Sequence, residues 1–222
     1  YITEASTSGA SDMEEVIVLL WNKEPLTPKL KKYESSGKEV VKFLLRKGIK
    51  PGEATWSGRS DAPLTSGWKK YGATNRTPKT DLVVSKRDIS LKQGPAQLMS
   101  GGKEESFATF AAAASNIRGK GSKEAIDNIT NLLNQFTRGL TEKGSVGDNL
   151  KSGQDEMINK VNMVHKQLMA ELTQAFNNFP EFQKEFIKEA SSGYVEFGIK
   201  SPASADWVLS IDKSGKNNHL YR

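Results

Sequence analysis

The sequence predicts an α/β protein with a mixed central sheet flanked by helices, and three observations lead to this fold class. Two short β-rich runs, residues 80–84 and 89–92, are joined by a charged turn at residues 85–88, which is typical of a β-hairpin. Two later runs, residues 194–199 and 207–211, also have strand composition. Much of the remaining apolar spacing is helical, and it predicts a helical pair inserted on one side of the sheet.

The length of 222 residues is compatible with one large domain. We expect a single domain whose core spans about residues 11–118 and is completed by strands within about residues 193–212. The helical pair is expected at about residues 122–178. The late strands are expected to extend the central sheet, because two isolated strands are marginally stable on their own.

The charge balance favours a polyanionic partner such as DNA. The chain carries 32 Lys and Arg against 26 Asp and Glu, a net charge of +6. The absence of cysteine excludes disulfides, thiol nucleophiles and cysteine-based metal sites, and two histidines are too few for a His-rich metal site. No apolar run is long enough to span a membrane. We therefore expect no membrane partner and a cytoplasmic location, in the host cytoplasm if the protein is phage-encoded.

The N-terminal region predicts two buried helices. Ser11 or Asp12 is expected to cap a helix that runs through Trp21, and its body at residues 16–21 is apolar all round, so it must be buried. A second helix is expected over about residues 38–47, where the apolar residues recur at helical spacing.

Residues 51–79 predict a long irregular segment in which basic and aromatic side chains alternate. Its candidate nucleic-acid contacts are Arg59, Lys69, Lys70 and Arg76. Such a loop suits phosphate contact combined with stacking on bases. An equally weighted interpretation is that the tryptophans of the segment, Trp56 and Trp68, pin the loop to the core.

Helices follow the hairpin. They are expected at about residues 104–116, 123–138 and 154–176, and in a further segment that starts at Pro180 and ends at Gly193. Further candidate contacts to nucleic acid are basic residues of the hairpin turn and of the link before the helical pair: Lys86, Arg87, Arg118 and Lys120.

The central hairpin carries the residues with the clearest chemical potential. Successive strand side chains alternate between faces, so Ser90 and Lys92 point one way while Ile89 and Leu91 point the other. If the strands pair in register, Asp81 shares the face of Ser90 and Lys92. A carboxylate, a hydroxyl and an ammonium would then meet at one end of a small sheet.

This pattern resembles the PD-(D/E)XK nucleases, a superfamily with the restriction-endonuclease-like fold. Its signature is a strand-borne Asp followed across a hairpin by an acidic residue, one spacer and Lys. Here the match is D…SxK, formed by Asp81, Ser90 and Lys92, with Ser90 in place of the usual second acid and Pro78 three residues before the Asp. The alternative interpretation is a surface hairpin whose Asp and Lys form a solvated ion pair that contributes little.

The resemblance implies a Mg²⁺ site, with Mn²⁺ as an alternative cofactor. Asp81 would be the principal ligand, and the backbone carbonyl of Leu91 at the spacer position would join it. A second carboxylate would come from elsewhere, because Ser90 cannot provide one. Glu14 is the first candidate and Glu15 the second, since an early helix often lends a Glu in this superfamily. The helix dipole offers a simpler role for such acids.

The resemblance also implies a metal-dependent DNA endonuclease. Lys92 would position or deprotonate the attacking water, Gln93 would orient that water or a phosphate, and Ser90 completes the catalytic set. Cleavage of both strands would favour a homodimer.

The competing functional class is a non-catalytic nucleic-acid-binding protein or a phage structural or assembly protein, in which basic charge and long helices provide contacts. A small-molecule enzyme is disfavoured, because the sequence contains no Walker-type phosphate loop, no GxSxG elbow and no HExxH helix.

Overall fold

The computed structural model describes residues 7–57, 61–94, 103–117, 120–141 and 155–222. These ranges contain helices and a five-stranded mixed sheet, which confirms the α/β class. The elements are, in chain order, α1 (Thr7–Trp21), a 3₁₀ turn (Lys31–Tyr33), α2 (Glu34–Arg46), β1 (Ala54–Trp56), α3 (Ser66–Lys69), β2 (Leu82–Val84), β3 (Arg87–Gln93), α4 (Lys103–Ser115), α5 (Lys120–Thr141), α6 (Asp155–Asn178), α7 (Pro180–Ser192), α8 (Tyr194–Phe197), β4 (Trp207–Ile211) and β5 (Asn218–Tyr221).

The contacts within the chain define two compact units. The sheet unit consists of residues 1–70, 74–101 and 188–222, and the helical unit consists of residues 71–73 and 102–187. The helical unit contains α4, α5 and α6, and the division falls inside α7. The predicted helical pair is confirmed, since α5 and α6 pack against each other.

The strand order in the sheet follows the order along the chain, β1-β2-β3-β4-β5. Neighbouring strands are antiparallel except β3 and β4, which pair in parallel. The predicted strand at residues 207–211 therefore extends the central sheet, as expected. The last strand, β5, was not predicted.

The β2–β3 hairpin is tighter than its sequence suggested. The turn has two residues, Ser85 and Lys86, and both have positive φ angles, 50° and 65°. That geometry matches a type I′ turn, whose twist fits the twist of the paired strands. The predicted four-residue turn was wrong because Arg87 already pairs with Val84.

The core lies on the face of the sheet that α1 and α2 cover. It is formed by apolar side chains of the two helices and of the inward-facing strand positions, including Val16, Ile17, Val40, Leu44, Leu82, Ile89, Leu91, Leu209 and Ile211. The predicted burial of both helices is confirmed. The predicted start of α1 is wrong. The helix begins at Thr7, so Asp12 lies in its body, and the Asp12 carboxylate pairs with Lys29 at 2.8 Å.

Strand β1 was missed because it lies within the segment predicted to be irregular. It is a three-residue edge strand, and Asn22 pairs with its outer side. The Asn22 side-chain amide donates to the Ala54 carbonyl and accepts from the Ala54 N–H, both at 2.9 Å. This double contact satisfies an exposed sheet edge that would otherwise be open to pairing.

The strand predicted at residues 194–199 was wrong, because the chain forms the short helix α8 there. The Glu189 carboxylate accepts hydrogen bonds from the N–H groups of Val195 at 2.8 Å and Glu196 at 3.0 Å. N–H groups at the start of a helix lack backbone partners, so a carboxylate at this position stabilises the helical turn. This side-chain contact overrides the β propensity of residues 194–199.

No helix in the described part of the chain combines the length and apolar character needed to cross a bilayer.

Candidate active site

Three polar residues of the hairpin share the face of the sheet opposite the core. Leu82 pairs with Ile89, so Asp81 lies across from Ser90, and alternation places Lys92 on the same side. The Ser90 hydroxyl donates to Asp81 Oδ2 at 3.3 Å. Burial raises the pKa of Asp81, and among the neighbouring groups the charge of Lys92 opposes this rise most strongly. The structure therefore brings these three residues together.

Asp81 sits where β2 separates from β3. The Asp81 N–H still donates to the Ile89 carbonyl of β3 at 2.9 Å. The Asp81 carbonyl accepts from the N–H of Ser57, which follows β1 on the opposite edge of β2. In a regular antiparallel ladder, the next N–H on this edge of β3, that of Leu91, would bond the backbone of residue 80. It instead donates to Asp81 Oδ2 at 2.6 Å. The carboxylate therefore occupies the fork between the two strands.

The backbone geometry of a strand gives the direction of the Leu91 carbonyl. In a strand, the N–H and C=O of one residue point towards the same neighbouring strand. Because the Leu91 N–H meets the Asp81 carboxylate, its carbonyl is directed to the side of β3 that faces Asp81. The side chain of Leu91 is buried in the core on the other face.

Burial raises the pKa of Asp81. The charge of Lys92 opposes this effect most strongly, followed by the hydrogen bonds from Leu91 and Ser90 and then the charge of Lys79. A carboxylate held in such a partly desolvated place gains stability from a nearby cation. Perturbed carboxylates of this kind are enriched at functional sites.

The residues just before Asp81 are anchored firmly. The N–H groups of Lys79 and Thr80 both donate to the Ala203 carbonyl, at 2.8 and 3.2 Å, and the Thr80 hydroxyl donates to the Ser204 carbonyl at 2.8 Å. The Lys79 ammonium lies 3.4 Å from Glu196 Oε2, and the two side chains are only 8% and 0% exposed. These contacts preorganise the position of Asp81.

Sequence reasoning missed this anchor. No local spacing relates Lys79 to Glu196, because the two residues are far apart in the chain and belong to no recognised motif. The one available signal was the strand composition of residues 80–84, and it says nothing about a buried ion pair.

The acidic residues of α1 have partners on the other side of the sheet. The indole Nε1 of Trp56 donates to Glu14 Oε2 at 2.6 Å. Trp56 pairs with Leu82 and so shares the core face, whereas Asp81 faces the opposite side. Glu15 is close enough to Lys29 to contribute to its raised pKa, of which Asp12 is the main cause. The structure thus places Glu14 and Glu15 on the helix-covered side of the sheet.

Gln93 also lies on the wrong face for its predicted role. It is separated from Lys92 by one position, so alternation directs its side chain to the same side as Leu91. The expectation that Gln93 orients a water beside Lys92 is therefore not met by the strand geometry.

The candidate nucleic-acid contacts that the structure describes lie on different elements of the chain. Lys69 and Lys70 are exposed at α3, and Lys86 is exposed at the hairpin turn. Arg59 and Arg118 lie outside the described residues, and Lys120 begins α5 without a described side chain.

Two of the predicted arginine contacts have structural partners, and one tryptophan of the irregular segment is buried. Arg76 Nε donates to the Ala62 carbonyl at 3.0 Å. The Arg87 guanidinium stacks over Trp207 at 5.0 Å, on the core face of the sheet, away from Lys92. Trp68 is fully buried, so the interpretation that a tryptophan pins the irregular segment to the core is correct for this residue.

The described site offers one carboxylate, that of Asp81, as a possible ligand for Mg²⁺. Mg²⁺ is usually bound by one or two carboxylates and completes its shell with water. The Leu91 carbonyl, which strand geometry directs to the same side of β3 as the Asp81 carboxylate, would add a second hard oxygen ligand. Among the residues whose side chains are described, no three His, Cys, Asp or Glu residues converge on one point.

No protein-family model, curated protein or solved structure matches this chain.

Proposed function

We propose that this protein is a Mg²⁺-dependent DNA endonuclease with Asp81, Ser90 and Lys92 at its active site. One observation carries the proposal: the Asp81 carboxylate lies in the fork between β2 and β3, bonded to the Leu91 N–H and within electrostatic reach of Lys92. The order of elements is consistent with the restriction-endonuclease-like fold that the resemblance implies. A helix precedes three antiparallel strands, and a later strand pairs in parallel with the third.

The chemistry required is the hydrolysis of a phosphodiester bond. Asp81 and the Leu91 carbonyl would hold Mg²⁺, which supplies an activated water and neutralises charge on the phosphate. Lys92 positions the attacking water and stabilises negative charge that develops on the phosphate. Ser90 holds the Asp81 carboxylate in place through its hydroxyl.

The test is cleavage of plasmid and of single-stranded DNA with Mg²⁺ or Mn²⁺, with EDTA as the metal-free control. We expect Lys92→Ala and Asp81→Asn each to lower the rate at least about 100-fold, the scale for loss of one group that stabilises charge in the transition state. Far-ultraviolet circular dichroism should be unchanged. Lys42→Ala is the matched control, because Lys42 is an exposed lysine of α2 whose ammonium pairs with Glu39 at 2.8 Å.

Metal-dependent cleavage that survives Lys92→Ala would contradict the proposed mechanism. Cleavage that falls equally in Lys92→Ala and Lys42→Ala would point to a general electrostatic effect and also contradict it.

A second candidate function is that of a non-catalytic nucleic-acid-binding or phage assembly protein. It is favoured by Ser90, which is fully buried and hydrogen-bonded to Asp81 where the superfamily pattern has a second acid. This function predicts DNA binding without cleavage by the wild-type protein under every metal condition.

A further inference from the structure

The polar face of the sheet continues from the candidate active site across β4 to β5. Lys92 pairs with Ser210, and Ser210 pairs with His219. Paired residues in neighbouring strands point to the same face. His219 therefore lies on the face of Lys92, two strands away, or about 10 Å at the usual spacing of strands.

The paired residues Lys92, Ser210 and His219 form a row across β3, β4 and β5, and a second row of paired residues lies beside it. Ser90 pairs with Val208, and Val208 pairs with Tyr221. His219 and Tyr221 thus lie side by side on β5, and their rings stack with centroids 6.1 Å apart and planes inclined by 22°. Both side chains are exposed, and Tyr221 retains 57% of its accessible surface. The pair, called the β5 platform below, is an exposed aromatic surface in line with the candidate catalytic residues.

The charges around the platform favour one direction for a polyanion. Asp88 and Asp206 lie close together at the other end of β3 and β4, where burial and then the charge of Asp206 raise the pKa of Asp88. The hydrogen bond from the Asp206 N–H to the Asp88 carbonyl, at 2.9 Å, fixes this acidic end. A phosphate chain is therefore repelled from that end and attracted to the Lys92 row.

We propose that the β5 platform stacks an unpaired base of the DNA strand whose phosphate lies at Asp81 and Lys92. This inference deepens the proposed nuclease function and rests on it. Base stacking on exposed aromatic rings tolerates any sequence, because every base has a π-face. The distance from β3 to β5 is comparable with the reach from a phosphate to the base of a neighbouring nucleotide. A base inside a continuous duplex is stacked on its neighbours, so the platform assigns single-stranded, flapped or gapped DNA as the substrate class.

The experiment measures binding of a short single-stranded oligonucleotide that contains 2-aminopurine, whose fluorescence is quenched on stacking. Ca²⁺ replaces Mg²⁺ so that the probe is not cut. Tyr221→Ala should weaken binding about 5- to 100-fold, the effect of losing one stacked base, and should abolish the quenching. Tyr221→Phe keeps the ring and should bind within about twofold of wild type. Ile199→Ala removes a similarly exposed apolar side chain, 71% exposed, and should have no effect.

The outcomes separate this inference from the nuclease proposal. If Tyr221→Ala binds and quenches the probe as the wild type does, the platform is overturned, even if Mg²⁺-dependent cleavage is intact. Equal affinity of the wild type for single-stranded and continuous duplex DNA would also overturn it. Tyr221-dependent binding without cleavage by the wild type would support the platform and reject the catalytic assignment. His219→Ala, which removes only half of the stack, should lie between Tyr221→Ala and wild type.

Discussion

Replacing Lys79 with Met should destabilise the sheet unit strongly. The ammonium of Lys79 lies 3.4 Å from Glu196 Oε2, and the two side chains are 8% and 0% exposed. Removal of one partner of a buried ion pair leaves an uncompensated charge and costs about 3–5 kcal/mol. The separation is longer than the roughly 2.7–2.9 Å of a strong charge-assisted hydrogen bond, so we expect the lower end, about 3 kcal/mol. That is a large part of a typical domain stability of about 5–15 kcal/mol.

Urea unfolding followed by tryptophan fluorescence measures this effect directly. All four tryptophans, Trp21, Trp56, Trp68 and Trp207, belong to the sheet unit, so the signal reports its unfolding. With a denaturant slope of about 1–3 kcal/mol per molar urea, the midpoint should fall by about 1–3 M. The matched control is Lys38→Met, which breaks an exposed pair with Glu34 at 2.6 Å and should cost at most about 0.5 kcal/mol.

A cost for Lys79→Met no larger than that for Lys38→Met would refute the argument that the buried pair anchors the approach to Asp81. The double variant Lys79→Met/Glu196→Gln should recover part of the lost stability, because it no longer buries an isolated charge.

Four further predictions concern the fold and the site. Asp81→Asn should increase the free energy of unfolding at neutral pH. Burial raises the pKa of Asp81, so the wild type loses stability as the pH rises through that pKa. The urea midpoints of the two proteins should therefore become equal at a pH below the ordinary pKa of Asp. Lys86→Gly should stabilise the hairpin by about 1 kcal/mol, because Lys86 has a φ of 65°, and an unchanged urea midpoint would contradict this. Gly193→Ala should destabilise the protein by more than about 1 kcal/mol, since Gly193 has a φ of 66° and a Cβ there would lie 2.8 Å from Lys79 Cγ. A melting temperature equal to that of the wild type would contradict this prediction. Ser90→Asp should lower the melting temperature in EDTA, because the added carboxylate repels Asp81 unless a cation lies between them. Addition of Mg²⁺ should restore the melting temperature, and a value insensitive to Mg²⁺ would argue against the metal site.

The hairpin and its chemistry were predictable because they depend on local information. A side-chain period of two and a turn between β-rich runs were enough to place Asp81 with Ser90 and Lys92. The two-residue turn was not predictable from residue type, because Ser and Lys rarely occupy positive φ. The buried helices were also accessible from their apolar spacing.

The remaining features depend on side-chain and strand contacts that the spacing of residue types does not reveal. The helix at Tyr194–Phe197 exists because Glu189 accepts the first N–H groups, and strand β1 exists because Asn22 and β2 pair with its two sides. Glu14 was assigned to a metal on the basis of resemblance, but its carboxylate accepts a hydrogen bond from Trp56 on the core face. Sequence alone does not show which face of a sheet a helix will cover.

The parallel pairing of β3 with β4 has a consequence for synthesis of the protein. Residues 102–187 of the helical unit are translated between Gln93 and Trp207, so the ribosome must deliver them before the centre of the sheet can close. Helices α5 and α6 depend on nearby contacts and form quickly, whereas long-range strand pairing is slow. We therefore expect nascent chains to carry an open strand edge along β3 while the residues between β3 and β4 are translated, a period in which chaperone contact or aggregation would act.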